Sequence, residues 1–435
     1  VPHLPTADPY LPGHGDPSYA VRHYDLDLAY VLEGNRLRGT ATLEVTVLEE
    51  TARLVLDLAH LEATKVRVDG ARLKKWSARQ DRLVLQLDRA VAADTELTVT
   101  IAYAGVPRPT MDEHHEDAGW EELTDGVIVA GQPHGAPTWF PCNDRPDDKA
   151  TYRTAIAAPS GYTVVANGLL VDRRRGASGE TWTYVMDRPM ATYLATAQIG
   201  RYVVTDHDTR PPVATVAPPD VDLEGSFDQQ GAMLAYFETV FGPYPFDAYT
   251  AVITDDELEI PLESQGLSTF GRNFCTADWS HVRLVAHELA HQWFGNAVTL
   301  ARWQDIWLHE GFACYSEWLW SEESGGPRSC DGWARHHHER LADDEQDLLL
   351  ADPGAALMFD DRVYKRGALT LHALRADLGD DAFFDLLQAW VAAYDGRSAT
   401  TEEFLTFASE RTGTDVAALL HPWLFETGLP AYPAG

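Results

Sequence analysis

The chain has 435 residues, and at about 150 residues per domain that is too many for one ordinary core, so two domains are expected. Its 34 Lys and Arg stand against 67 Asp and Glu, and the resulting charge of −33 argues against a nucleic-acid partner, because phosphate binding needs clustered Lys and Arg. A hydrophobic content of 45% with 13 Trp implies sizeable cores, while no apolar run reaches the roughly 18 residues that a membrane helix needs.

From His23 to about Val204 the apolar residues recur with the period of strands. Thr40 to Val47 alternates strictly, with Ala41, Leu43, Val45 and Val47 on one face and Thr40, Thr42, Glu44 and Thr46 on the other. The same period returns at Leu54, Leu56 and Leu58, at Leu83, Leu85 and Leu87, and at Leu97, Val99, Ile101 and Tyr103. Asp69-Gly70 and Asn167-Gly168 supply the positive φ of tight hairpins, so residues 1–205 are predicted to form an antiparallel β-sandwich. Val106 to Gly126 breaks the pattern and reads as a long polar loop, in which His114 and His115 are solvated rather than ligands.

Pro211, Pro212, Pro218 and Pro219 mark a change of texture, and the boundary is set at about 205. Residues 206–435 then read as mostly helical: around Met233, Phe237 and Val240, through Val282 to Phe294, and over Ile306–Trp320, Trp333–Leu341, Val363–Leu378 and Ala382–Tyr394. Val252 to Phe270, with Pro261 inside it, reads instead as a hairpin or sheet edge. The 4 cysteines (Cys142, Cys275, Cys314, Cys330) are too few and scattered for a disulfide framework, so free buried thiols are expected, with a Cys314–Cys330 bridge as the alternative. No secretory signal is visible, which points to the cytoplasm; the start at Val1 rather than Met keeps secretion after leader removal as an alternative.

The chemistry concentrates in His287-Glu288-Leu289-Ala290-His291. On a helix the two histidines stand one turn apart on one face, so both imidazoles reach one metal ion while Glu288 projects beside them. Histidines that merely hydrogen-bond within a core are the bland alternative. Against it, the flanking residues (Val285, Ala286, Trp293, Phe294) are apolar, and buried His and Glu are costly without a partner. Hydrolytic zinc takes three protein ligands and keeps one open position, and Glu310 is the expected third ligand. One zinc ion is therefore predicted on His287, His291 and Glu310, with Glu288 the general base for an attacking water. Glu317, on the face of Glu310, is either a group that orients a histidine ligand or a plain surface glutamate.

These residues, extended through Gln292-Trp293-Phe294-Gly295-Asn296 and Trp307-Leu308-His309-Glu310-Gly311-Phe312-Ala313, resemble the zinc aminopeptidases related to aminopeptidase N and leukotriene-A hydrolase, of the gluzincin type. Pro261-Leu262-Glu263-Ser264-Gln265 is similar to that family's Gly-x-Met-Glu-Asn exopeptidase motif, Val363-Tyr364-Lys365-Arg366-Gly367-Ala368 to its catalytic-tyrosine motif, and Phe140-Pro141-Cys142-Asn143-Asp144 with Lys149 to its Phe-Pro-Cys-x-Asp signature. The resemblance spans roughly residues 20–430. It implies an N-terminal β-saddle domain and a thermolysin-like α+β catalytic domain, mostly helical. It further implies Tyr364 as the donor to the tetrahedral intermediate, whose bland reading is an aromatic opening an amphipathic helix. Glu263 becomes the carboxylate that holds the substrate ammonium, and Gln132 either a second contact to that amine or an ordinary loop residue. Ile260, Pro261, Ser264, His309 and Arg366 depart from the family pattern without removing a catalytic group. Many relatives carry a further C-terminal helical domain, and the chain reads as a short two-domain form.

The expected function is thus a zinc aminopeptidase acting on peptides with a free N-terminus. A zinc endopeptidase or epoxide hydrolase on the same site is a second reading, and a non-catalytic binding scaffold a third. Glu263 argues against the endopeptidase, and retention of Glu288 against the scaffold.

Overall fold

The structure is a computed structural model that describes residues 6–111, 117–177 and 179–433. His114 and His115 lie outside the described residues.

Alternation builds the first half. Tyr19–Val31, Arg36–Val47 and Glu96–Gly105 pair side by side and bury every second residue, among them Leu26, Leu28, Ala41, Leu43, Val99 and Ile101. Their sheet runs, in spatial order, Leu169–Arg175, Gly179–Met190, Ala150–Pro159, Tyr19–Val31, Arg36–Val47, Glu96–Gly105, Leu61–Asp69. It is antiparallel except where Tyr19–Val31 meets Ala150–Pro159 in parallel, with Tyr24 opposite Tyr152. That pairing corrects the all-antiparallel expectation, and the long excursion between the two strands supplies the crossover a parallel pair needs. A second sheet holds Thr51–Asp57, Arg82–Val91 and Leu73–Arg79; a third holds Thr163–Ala166, Ala197–Gly200, Gly126–Ala130 and Gly119–Leu123.

Two local expectations change. Gly70 and Gly168 do take positive φ, 91° and 88°, yet neither closes a hairpin. Each stands where the chain leaves one sheet for another, from Leu61–Asp69 to Leu73–Arg79 and from Thr163–Ala166 to Leu169–Arg175. The supposed loop between residues 106 and 126 also contains a strand, Gly119–Leu123, paired with Gly126–Ala130. Trp120 anchors it, fully buried with its indole N–H donating to Asn35 Oδ1 at 3.2 Å.

In the second half a five-stranded sheet runs Val203–His207, Val213–Ala217, Tyr249–Thr254, Leu267–Gly271, Leu262–Ser264. Leu262–Ser264 is its edge, antiparallel to Leu267–Gly271, with Pro261 just outside where no ladder bond is needed. Tyr249–Thr254 pairs parallel with Leu267–Gly271, so Val252 to Phe270 supplies a sheet edge and not a hairpin of its two ends. The helices follow: α1 (Gln230–Phe241), α2 (Trp279–Ala290), α3 (Trp307–Glu323), α4 (Cys330–Asp343), α5 (Asp361–Leu378), α6 (Asp380–Tyr394), α7 (Thr401–Thr412) and α8 (Val416–Leu424). The first six are those the periodicity predicts. The cysteines are free, Cys314 and Cys330 included. No helix among the described residues is long and apolar enough to cross a membrane.

One close approach matters for the site. A Cβ on Gly311 would stand 2.8 Å from Gly367 Cα, and one on Gly367 would stand 2.7 Å from Gly311 Cα. Only glycine at both positions lets α3 and α5 touch backbone to backbone, and Glu310 and Tyr364 ride on those two helices.

Candidate metal centre and cleft

Asp278 starts α2 by accepting the Ser280 N–H at 3.0 Å. Val282, Val285, Ala286 and Leu289 bury the helix, which carries His287 and Glu288 inward and ends so that His291 is its C-terminal cap. The first turn of α3 brings Glu310 to the same point. His287 Nε2 lies 3.3 Å and His291 Nε2 3.5 Å from Glu310 Oε2, and the donor atoms of all three lie within 4.8 Å of one another.

The other ring nitrogens are already used. His287 Nδ1 hydrogen-bonds Glu317 Oε1 at 2.8 Å, and His291 Nδ1 hydrogen-bonds Phe294 O at 3.0 Å. When each Nδ1–H is donated outward and no proton sits on Nε2, two ring lone pairs turn toward a carboxylate oxygen. Three acceptors that converge without a proton between them need a cation, and two imidazoles with one carboxylate are a donor set that suits zinc. Glu317 is thus no surface residue: its Oε2 also takes Arg283 Nη1 at 3.0 Å.

The electrostatics show the same demand for positive charge, which protons on the two histidines meet when no metal ion is held. Burial alone would lower the His291 imidazolium, but the carboxylates of Glu263 and Glu310 push it up to about 10. Glu310 is held well below the usual carboxylate range against burial, by His291 and His287. Burial pushes Glu288 up to about 8, opposed by the same two histidines. Its Oε2 is buried and has no hydrogen-bond partner in the protein, which leaves that oxygen available to substrate or water. Glu263, Glu288 and His291 form a second group whose polar atoms lie within 4.8 Å.

Glu263 sits on the edge strand Leu262–Ser264, and Gln132, just past the strand Gly126–Ala130, donates Nε2–H to its Oε1 at 2.7 Å. The two halves of the chain therefore meet at this carboxylate. Tyr364 opens α5 with its ring stacked on His287, centroids 6.1 Å apart and planes at 21°. Burial drives its phenol well above the ordinary range, so it stays protonated and can donate. A cleft of about 770 Å³ opens here, lined by Glu121, Ile128, Gln132, Leu262, Phe359 and Tyr364 among others.

Residues 226–423 match the peptidase family M1 domain, and residues 20–194 match the peptidase M1 N-terminal domain. The chain belongs to peptidase family M1. Aminopeptidase M1-A of Oryza sativa subsp. japonica is 28% identical over 466 residues, covering 97% of this chain and 51% of that protein. The crystal structure of an M1 zinc metallopeptidase from Deinococcus radiodurans is 29% identical with a TM-score of 0.90, covering 98% of this chain and 99% of that one. A mutant of that enzyme bound to a Tyr-Ser-Ala substrate aligns with a TM-score of 0.90 at 28% identity, over 98% of this chain and 99% of that one. The M1 chain spans about half the length of the curated relatives it matches.

Where this M1 chain departs from the family pattern, the structure supplies reasons. His309 accepts the Leu300 N–H on Nε2 at 2.7 Å, and burial with the nearby His291 lowers its pKa to about 3, so it acts as a neutral acceptor. Arg366 turns away from the metal centre and donates to Trp423 O (2.8 Å), Thr427 O (2.7 Å), Pro422 O (3.1 Å) and Gly428 O (3.2 Å), holding the segment after α8. Sequence reasoning missed Arg283. The signal was available, since Arg283 stands four residues before His287 on one helix face.

Proposed function

We propose that this chain is a zinc-dependent aminopeptidase that hydrolyses the N-terminal bond of peptides carrying a free amine. The observation that carries the reading is the Gln132–Glu263 pair at 2.7 Å, beside the buried Glu288 and His291. His287, His291 and Glu310 would hold one zinc ion. When bound, zinc polarises the scissile carbonyl and lowers the pKa of water to about 7.

The protein's own groups do the rest. Glu288 takes the proton of the attacking water on its free oxygen and passes it to the leaving amine. Tyr364, whose phenol burial keeps protonated, donates a hydrogen bond to the oxyanion as charge develops. Glu263 and the Gln132 carbonyl oxygen receive the substrate ammonium, a charge-assisted contact that fixes the first residue against the metal. We divide the chain near residue 205, so that the amine is gripped from both domains. An endopeptidase has no use for that anchor, and a scaffold has none for Glu288.

Rates on a free peptide and its N-acetylated form, with and without chelator, test the reading. Chelator should abolish cleavage, and acetylation should cost on the order of 2–5 kcal/mol in kcat/KM, the scale of a broken buried charge contact. Glu263→Ala should reduce that discrimination sharply. An unchanged ratio of free to acetylated rates in the mutant would remove Glu263 from the role of ammonium anchor.

A further inference from the structure

Lys149 stands just before the strand Ala150–Pro159 of the N-terminal domain, and its ammonium crosses into the catalytic domain. Nζ donates to Asn296 O at 2.8 Å, Ala297 O at 3.0 Å and Thr299 Oγ1 at 2.8 Å. Three protons meet three neutral acceptors. Arg188 and Asp395, the charges that act on it, pair with each other, and among the described residues no carboxylate forms an ion pair with the ammonium. Burial lowers it to about 7. A charge kept in such a place is expensive, and an apolar side chain would join two domains at lower cost.

What the ammonium holds is the turn over residues 292–300, and that turn touches the site from three sides. Phe294 O accepts from His291 Nδ1 at 3.0 Å. Leu300 N–H donates to His309 Nε2 at 2.7 Å, and His309 immediately precedes Glu310. Gln292 Nε2 and Asn296 Nδ2 donate to Ser264 O at 3.1 Å and 3.0 Å, and Ser264 immediately follows Glu263. Lys149 adds a donor to two further carbonyls of the same turn, those of Asn296 and Ala297.

We infer that Lys149 is a positioning residue: by pinning the 292–300 turn it sets the His291 ring, the approach of Glu310 and the strand of Glu263, so that the N-terminal domain governs the geometry of the metal centre. The kinetic part of this inference rests on the peptidase reading above. The metal part does not.

Lys149→Met keeps the aliphatic stem and removes three donors. The zinc-loaded variant should lose its metal to excess chelator about 10–100-fold faster than the unmutated protein, the range for removal of groups that orient metal ligands. Its kcat should fall by a similar factor, with KM changing less. Thr299→Val removes one acceptor of the lysine together with the hydroxyl's own bond to Asn296 O at 3.1 Å; it should accelerate zinc release by a smaller factor, and that factor should shrink when Lys149→Met is already present. Zinc release and kcat at unmutated values in Lys149→Met overturn the inference even if thermal stability falls, because that pattern belongs to a purely structural tie. Should Lys149→Met fail to fold, Lys149→Gln, which keeps a polar donor but cannot reach all three acceptors, takes its place: release at the unmutated rate overturns the inference, and faster release supports it. If no variant cleaves free-amine peptides yet zinc release differs as expected, the peptidase reading fails and the positioning role stands.

Discussion

His287 has its tautomer set by what lies behind it. Glu317 accepts from Nδ1 and is itself held by Arg283, and against burial the cations Arg283 and Lys365, with His287, keep its carboxyl well below the usual range. Removing that support should leave the fold intact and the ligand loose. Glu317→Ala is expected to weaken zinc binding about 10–100-fold, measured by competition with a chromophoric chelator; an unchanged affinity would mean the contact orients nothing. Glu288 gives the complementary case, since its Oε2 is buried without a partner and is no ligand in the assigned set. Glu288→Gln should keep zinc near one per chain while kcat falls about 10²–10⁴-fold, and a variant retaining a tenth of the activity or more contradicts a general-base role. His309 shows why a departure from the family pattern costs nothing here: a neutral imidazole offers the acceptor that Leu300 N–H requires.

The two helices that carry Glu310 and Tyr364 touch because two glycines face each other. Gly367→Ala places a methyl group where Gly311 Cα already stands at 2.7 Å, and the helix backbone has no flexible side chain there to yield. Overpacking of that kind typically costs about 1–3 kcal/mol, so chemical denaturation should show a loss in this range, with kcat reduced as Tyr364 moves off His287. An alanine variant of full stability and activity would show that the helices tolerate separation. Elements like these were legible in the sequence because their signals are local: the 3.6-residue period gave α1 to α6, and His287, His291 and Glu310 lie on the faces it implies. Helix α7 went unpredicted although its capping box, Thr400 with Glu403, is written in the chain. Sheet membership was harder. Asp69-Gly70 and Asn167-Gly168 demand positive φ, yet nothing local says whether the next strand pairs back or joins another sheet. The Gln132–Glu263 contact and the Lys149 ties are equally non-local, since they join residues more than 100 positions apart.

At the scale of the whole molecule the charge of −33 returns as a matter of substrate approach. The cleft is lined by Glu121, Glu257, Glu259 and Asp360, among other residues, and none of the described lining residues is Lys, Arg or His. Asp360 is already paired with Arg362 at 2.8 Å, while Asp117, Glu121, Glu257 and Glu259 project one sign of potential into a concave space. Such a field should draw cationic peptides in and slow anionic ones, most strongly at low ionic strength, where the screening length is about 30 Å, and little at 1 M, where it is about 3 Å. Two peptides of equal length, one carrying an internal Lys and the other a Glu, isolate the effect. On the proposed reading both would present the same free ammonium to Glu263, so the salt response of that contact would cancel in their ratio. The ratio of kcat/KM, Lys peptide over Glu peptide, is expected to fall on the order of 10-fold between about 10 mM and 1 M salt, and Glu121→Gln should flatten the slope. Parallel salt dependences for the two peptides would mean that the acidic surface serves solubility alone and that the cleft does not select by charge.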